Sequence, residues 1–252
     1  MAGPPPILVA PDAFGGELRA PVVAAAIARG LERAGVAPPP DLCPVSSGGR
    51  GTIEALLPAL GGETGNGFAL VEDGGTAIVE LEPSAELTAG RLALAAATGA
   101  DVVVLAAAGA GDQGAALLAA LADVGGLGDA ALVVLCDVRA PGALAVQLRD
   151  EGGARLVAGA AFVLEALDFD ARMRAARALV VGERRLDRAT LQGRVAGEMA
   201  TRARQSGVPC HAVVGDDAID RFDARILDLQ AIKEAATIAD LEAAGQALAA
   251  YL

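Results

Sequence analysis

The chain has 252 residues, of which 54% are hydrophobic, 2% are aromatic and none is tryptophan. That length suffices for one large α/β domain or two small ones, with a core of Ala, Val, Leu and Ile in place of rings. A formal net charge of −12 argues against nucleic acid as a partner, because such a surface repels phosphates.

Taken in chain order, short apolar runs alternate with longer amphipathic stretches. The opening "MAGPPPILVAPD" lacks the basic start and long apolar run of a signal peptide. No later run reaches membrane-spanning length without glycine or charge, so no membrane partner is expected. Ile7–Ala10 reads as a strand, and Val23, Ile27, Leu31 and Ala34 then recur at helical spacing. Leu42–Ser46 reads as a second strand, followed by a helix through Ile53–Leu60. Gly61–Gly67 ("GGETGNG") is glycine-rich and polar and reads as a domain boundary. Hairpin-like strands follow, Phe68–Val71 and Thr76–Leu81 around Asp73–Gly75. Asp101–Ala108, Ala131–Asp137, Ala178–Gly182 and His211–Gly215 are continuous apolar runs, the pattern of parallel strands covered on both faces. Ile238, Leu241, Gly245, Leu248 and Leu252 close the chain as a docked helix.

Cysteine and histidine add little chemistry. Cys43, Cys136 and Cys210 are far apart and odd in number, which supports neither a disulfide framework nor a zinc site and fits a reduced, cytoplasmic setting. The single histidine, His211, lies in a strand-like run and reads as a packed residue rather than a catalyst. Catalysis would then rest on carboxylates, Arg, Ser/Thr and backbone amides.

In open α/β sheets ligands bind beyond the carboxyl ends of the strands, and the polar residues cluster there. Asp12 follows the first strand, and "SSGGRGT" (Ser46–Thr52) follows the second. Gly109, Gly111, Asp112 and Gly114 follow the 101–108 run, Asp137 ends the next, and Glu183 and Asp187 follow the 178–182 run. Ser47, Gly48, Gly49, Arg50, Gly51 and Thr52 have the composition of an anion cradle at a helix N-terminus. They also have that of an ordinary glycine-rich turn with a serine cap. "VVGERRLDRATLQGR" (Val180–Arg194) concentrates six charged residues, either to handle an anionic ligand or as a solvated connection.

Five segments, in order, resemble the bacterial glycerate kinase family. "LVAPDAFGGELRA" is similar to V-I-A-P-D-S-F-K-G-S-L-S-A, "PVSSGGRGT" to P-x-A-D-G-G-E-G-T, and "LCDVRAP" to A-C-D-V-x-N-P. The stretch Ala166–Arg194 resembles one ending I-T-G-E-G-R-x-D-x-Q-T-x-x-G-K, and "VPCHAVVG" resembles the V-P-V-x-A-x-x-G that follows. Departures are specific: Ala13 and Gly15 stand for Ser and Lys, and Ser47 and Arg50 for Asp and Glu. Arg184 stands for Gly, Ala189 for Gln and Arg194 for Lys. Of G-G-S-A-T-N-D-G-G only Asp112 and Gly114 remain.

The resemblance implies an α/β fold: a three-layer, parallel-sheet, Rossmann-like domain (1–66 and 176–252) with a second, smaller and shortened α/β domain inserted (67–175). It implies Mg–ATP-dependent phosphorylation of a hydroxyl of glycerate or a similar small hydroxy acid, so the partners would be that acid and a nucleotide; a homodimer is compatible with it. Asp187, Glu183 and Asp12 would be catalytic, with Asp187 accepting the hydroxyl proton or helping to hold the metal. Ser47–Thr52, Asp112, Asp137, Arg185, Thr190 and Arg194 would bind substrate or nucleotide; the metal ligands stay unassigned. The alternative is an impaired homologue that binds a small acid or nucleotide, or serves as a protein-interaction module.

Overall fold

The structure is a computed structural model, and it describes residues 3–71 and 74–252. Met1, Ala2, Glu72 and Asp73 lie outside the described residues, and with them the start of the N-terminal segment and part of the expected Asp73–Gly75 turn. By its contacts the chain divides into two compact units, Met1–Ser46 with Leu167–Leu252, and Ser47–Ala166.

The first unit begins with β1 (Ile7–Pro11), α1 (Ala20–Arg33) and β2 (Asp41–Leu42). The second unit then runs α2 (Thr52–Leu60), β3 (Gly62–Gly65), β4 (Phe68–Val71), β5 (Thr76–Glu80), α3 (Ala85–Ala96) and β6 (Val102–Ala106). It continues with α4 (Gly114–Asp123), β7 (Ala131–Cys136), α5 (Ala143–Asp150), β8 (Arg155–Ala158) and α6 (Gly159–Ala166). The chain returns to the first unit through α7 (Phe169–Ala175), β9 (Ala178–Glu183), a 3-10 turn (Arg188–Gln192) and α8 (Val195–Ser206). It ends with β10 (Cys210–Val214), α9 (Arg221–Leu227), β11 (Leu229–Glu234) and α10 (Ile238–Leu248).

The first unit's sheet has the order β11-β10-β9-β1-β2 and is parallel throughout. Every residue of β1, β9 and β10 is buried, which requires cover on both faces. Because side chains alternate along a strand, Ile7 and Val9 meet Val23, Ile27 and Leu31 of α1 and Leu241 and Leu248 of α10 on one side. The other face carries α8, which packs on β9 and β10. Register places Val9 opposite Val180 and Glu183 opposite Val214.

The second unit's sheet has the order β3-β4-β5-β6-β7-β8, antiparallel as far as β5 and parallel beyond it. Val79, Leu105 and Val134 point into a core with Leu92, Leu117 and Leu148 of α3, α4 and α5. Here α2 and α6 pack on the strands as well. Among the described residues the unit is the near equal of its host, with six strands against five, and so is not the smaller domain expected.

Two expectations change. Gly61–Gly67, read as the boundary, is instead part of a hairpin: β3 pairs with β4 around Asn66 and Gly67, whose φ values are 52° and 81°. Two positive φ values in a two-residue loop match the twist of the strands they join. The division therefore falls at Ser46/Ser47 and Ala166/Leu167, because α2 and α6 pack on the inserted sheet. The strand expected at Leu42–Ser46 is only Asp41–Leu42: the Cys43 and Val45 N–H groups still donate to the Val9 and Pro11 carbonyls at 2.9 and 3.0 Å, but Pro11 has no N–H to return to Cys43. No helix among the described residues is long and apolar enough to cross a membrane.

Each sheet has its own core, so core damage should be local. Leu92→Ala should cost about 2–5 kcal/mol and lower hydrogen-exchange protection first in β5, β6 and β7. Ile27→Ala should do the same in β1, β9 and β10. A uniform loss over both sheets from either substitution would contradict this.

Candidate active site

The sequence-predicted residues fall into two groups, one in each unit. In the first unit they sit at the carboxyl ends of β1 and β9. The Asp12 N–H donates to the Gly182 carbonyl at 2.9 Å, which ties the end of β1 to that of β9. The half-buried Asp12 carboxylate accepts the Ala13 N–H at 2.6 Å.

The centre of this group is Glu183, the last residue of β9, which is only 8% exposed. Its Oε2 accepts the Thr190 hydroxyl at 2.8 Å, and its Oε1 accepts an Arg194 Nη1–H at 3.1 Å. Thr190 also accepts the Asp187 N–H at 3.2 Å, while Asp187 Oδ1 accepts the Ala189 N–H at 2.9 Å. This reciprocal cap starts the 3-10 turn Arg188–Gln192, which carries Thr190 back over Glu183. Arg194 is then the N-cap residue of α8. Arg185 bridges Asp187 at 3.2 Å and Asp216 at 2.7 Å.

Burial pushes the Glu183 carboxyl up to about 7, and the charge of Asp12 adds to the rise. Thr190 and Arg194 oppose it. Between its ordinary value of 4.5 and about 7, the folded chain holds a proton here that the unfolded chain has released. The stability linked to that proton is full at and below the ordinary value and is lost as pH rises through about 7.

In the second unit the expected cradle is occupied by the protein itself. The Glu80 carboxylate, at the end of β5, accepts the N–H groups of Gly51 and Ile53 at 2.9 and 3.0 Å. Those are amides at the start of α2 that would otherwise face an anion. A side chain at Gly48 would overlap Gly159, and one at Gly49 would overlap the Ala108 carbonyl, so close backbone packing explains both glycines. Thr52 turns its hydroxyl to the Gly49 carbonyl at 2.6 Å. Ser47 is half-buried, and Arg50 is exposed. Asp112 is exposed ahead of α4, and Asp137 accepts the Arg139 N–H at 3.0 Å in a local turn. The structure therefore gathers Asp12, Glu183, Arg185, Asp187, Thr190 and Arg194 into one polar rim. Glu80, inside the strand expected over Thr76–Leu81, is what fills the turn in the other unit.

Buried Cys43, Cys136 and Cys210 are free thiols, and His211 is buried within β10, as a packed residue would be. Among the described residues no group of three or more His, Cys, Asp or Glu is arranged to hold a metal ion.

A model of the glycerate kinase family matches residues 7–105 and 138–250. The chain belongs to the glycerate kinase family. The match covers the Asp12, Ser47–Thr52 and Glu183–Arg194 segments and leaves out the stretch holding Asp112 and Asp137. A crystal structure of a candidate glycerate kinase 2 from Salmonella typhimurium LT2 is similar over 99% of this chain and 98% of its own, with 18% identity and a TM-score of 0.72. At that identity the likeness establishes the glycerate kinase fold. No curated protein matches the sequence.

Thr190→Val removes the hydroxyl that serves both Glu183 and Asp187. It should destabilise the first unit by about 1–3 kcal/mol, because a buried carboxylate loses a donor. Urea unfolding would show this, and an unchanged midpoint would mean that the bond contributes nothing.

Proposed function

We propose that the chain is a kinase that transfers phosphate from Mg–ATP to a hydroxyl of glycerate or a similar small hydroxy acid. The observation that carries this reading is Glu183: a carboxyl at a strand's carboxyl end, raised to about 7, inside the segment that the family model covers. A general base works best with a pKa near the operating pH, and Glu183 meets that condition. In this reading Glu183 accepts the hydroxyl proton. Asp187 and Thr190 hold it in place, and Asp187 acts through the turn it caps.

A Mg²⁺ carried by a nucleotide needs one or two protein carboxylates, and takes its other oxygens from water and phosphates. Asp12 fits that need: it is half-buried, lies at the end of β1, and is near enough to Glu183 to raise it. When bound, the ion would neutralise charge on the phosphates.

One observation favours the second reading, a protein that binds a small acid or nucleotide without turning it over. Glu80 fills the amides at the start of α2, so that turn offers an incoming phosphate fewer donors.

The test is ³¹P NMR of glycerate with Mg–ATP, paired with calorimetric binding of each ligand. Phosphoglycerate should form only with Mg²⁺ and ATP together, with a rate that rises through about pH 7. Glu183→Gln should lower kcat by about 10²-fold or more. Binding of ATP and glycerate without phosphoglycerate would establish the second reading, and no binding would remove both.

A further inference from the structure

The three arginines that flank the turn after Glu183 are not equivalent. Arg185 is committed to Asp187 and Asp216. Arg194 is committed to Glu183 and to the Arg185 carbonyl, with Asp187 at 3.5 Å. Arg184 is exposed, and among the described residues its guanidinium takes part in no hydrogen bond or ion pair.

Its placement is specific. A Cβ built on Gly15 would lie 3.7 Å from Arg184 Cδ and 3.8 Å from its Nη1. Arg184 therefore reaches from the end of β9 across the loop after β1. Gly15 has φ of +97°, which favours glycine and leaves room for that arm. Beside it is a cavity of about 290 Å³, lined by Arg184 with Phe14, Leu18, Gly215 and Ala235. The other charges on its wall, Arg185 and Asp216, are paired at 2.7 Å, and Arg185 is shared with Asp187 at 3.2 Å. That leaves Arg184 as the one positive charge on the cavity wall without a partner among the described residues, at a mouth open to water.

We propose that this cavity is an oxyanion subsite, and that Arg184 supplies its charge to a phosphate or carboxylate group. Its volume suits a phosphate or a three-carbon acid. Where the resembled pattern has Lys after β1 and Gly after β9, this chain has Gly15 and Arg184. The cation is kept over the same loop and delivered from the neighbouring strand. The identity of the ligand rests on the kinase reading above, but the existence of the subsite does not.

The experiment is calorimetric titration at low salt with three probes: inorganic phosphate, ATP and glycerate. Arg184→Gln should weaken at least one probe by about 10-fold or more, the usual effect of losing a charge-assisted contact. Arg184→Lys should fall between, since it keeps the charge and loses the planar fork. Arg225→Gln, an exposed arginine of α9 outside the cavity, should stay within about twofold and controls for net charge. Weakening of phosphate and ATP alone assigns a phosphate ligand; weakening of glycerate alone assigns a carboxylate. The proposal is overturned if Arg184→Gln binds all three like the parent, if Arg225→Gln loses as much, or if the parent binds none. A parent with no kinase turnover that still shows the Arg184 contrast would end the kinase reading and leave the subsite standing.

Discussion

A carboxylate buried at the end of a central strand sets the order of everything around it. Glu183 ends β9, which is hydrogen-bonded to β1 on one side and β10 on the other. A charge at that depth must be paired or protonated, and the chain provides for both. The segment from Arg184 to Arg194 doubles back so that Thr190 and Arg194 reach the two oxygens of Glu183. Asp187 starts the turn that makes this return geometrically available. Removing either donor would leave a buried charge short of a partner, which is more costly than losing the bond itself.

The same pairing decides which cations remain for a ligand. Arg194 and Arg185 look like anion binders in the sequence, yet the structure employs both in holding carboxylates. The second unit repeats the pattern, with its helix N-terminus satisfied by Glu80. An acidic chain fills its own positive sites first. Among the described residues Arg184, over Gly15, is one of the exposed arginines left without a side-chain partner, and the one that lines a cavity beside the carboxyl end of β9.

Much of the fold was legible because buried parallel strands need unbroken apolar runs: 7–10, 101–108, 131–137, 178–182 and 211–215 all became strands. What failed was local chemistry acting against pattern. Asn66–Gly67 is a hairpin signal, but the glycines around it read as a domain boundary. Pro11, with no N–H to give to Cys43, interrupts the pairing of a strand whose hydrophobicity would have carried it further. Asp12, Glu183, Asp187 and Thr190 were legible from strand ends and from motif order. Glu80 was not, because nothing near it in sequence marks a carboxylate that caps a helix starting at Thr52. Arg184 registered only as a departure from a glycine, since its value lies in contact with a residue on another strand.

The state of one carboxyl group, that of Glu183, decides what this rim can do. The most direct measurement is a ¹³C NMR titration of side-chain carboxyls in glutamate-labelled protein, with Glu183→Gln used to assign the Glu183 signal. The expected midpoint is at about 7. A midpoint near the ordinary 4.5 would show that Thr190 and Arg194 fully offset burial, and would remove Glu183 as the base of the site.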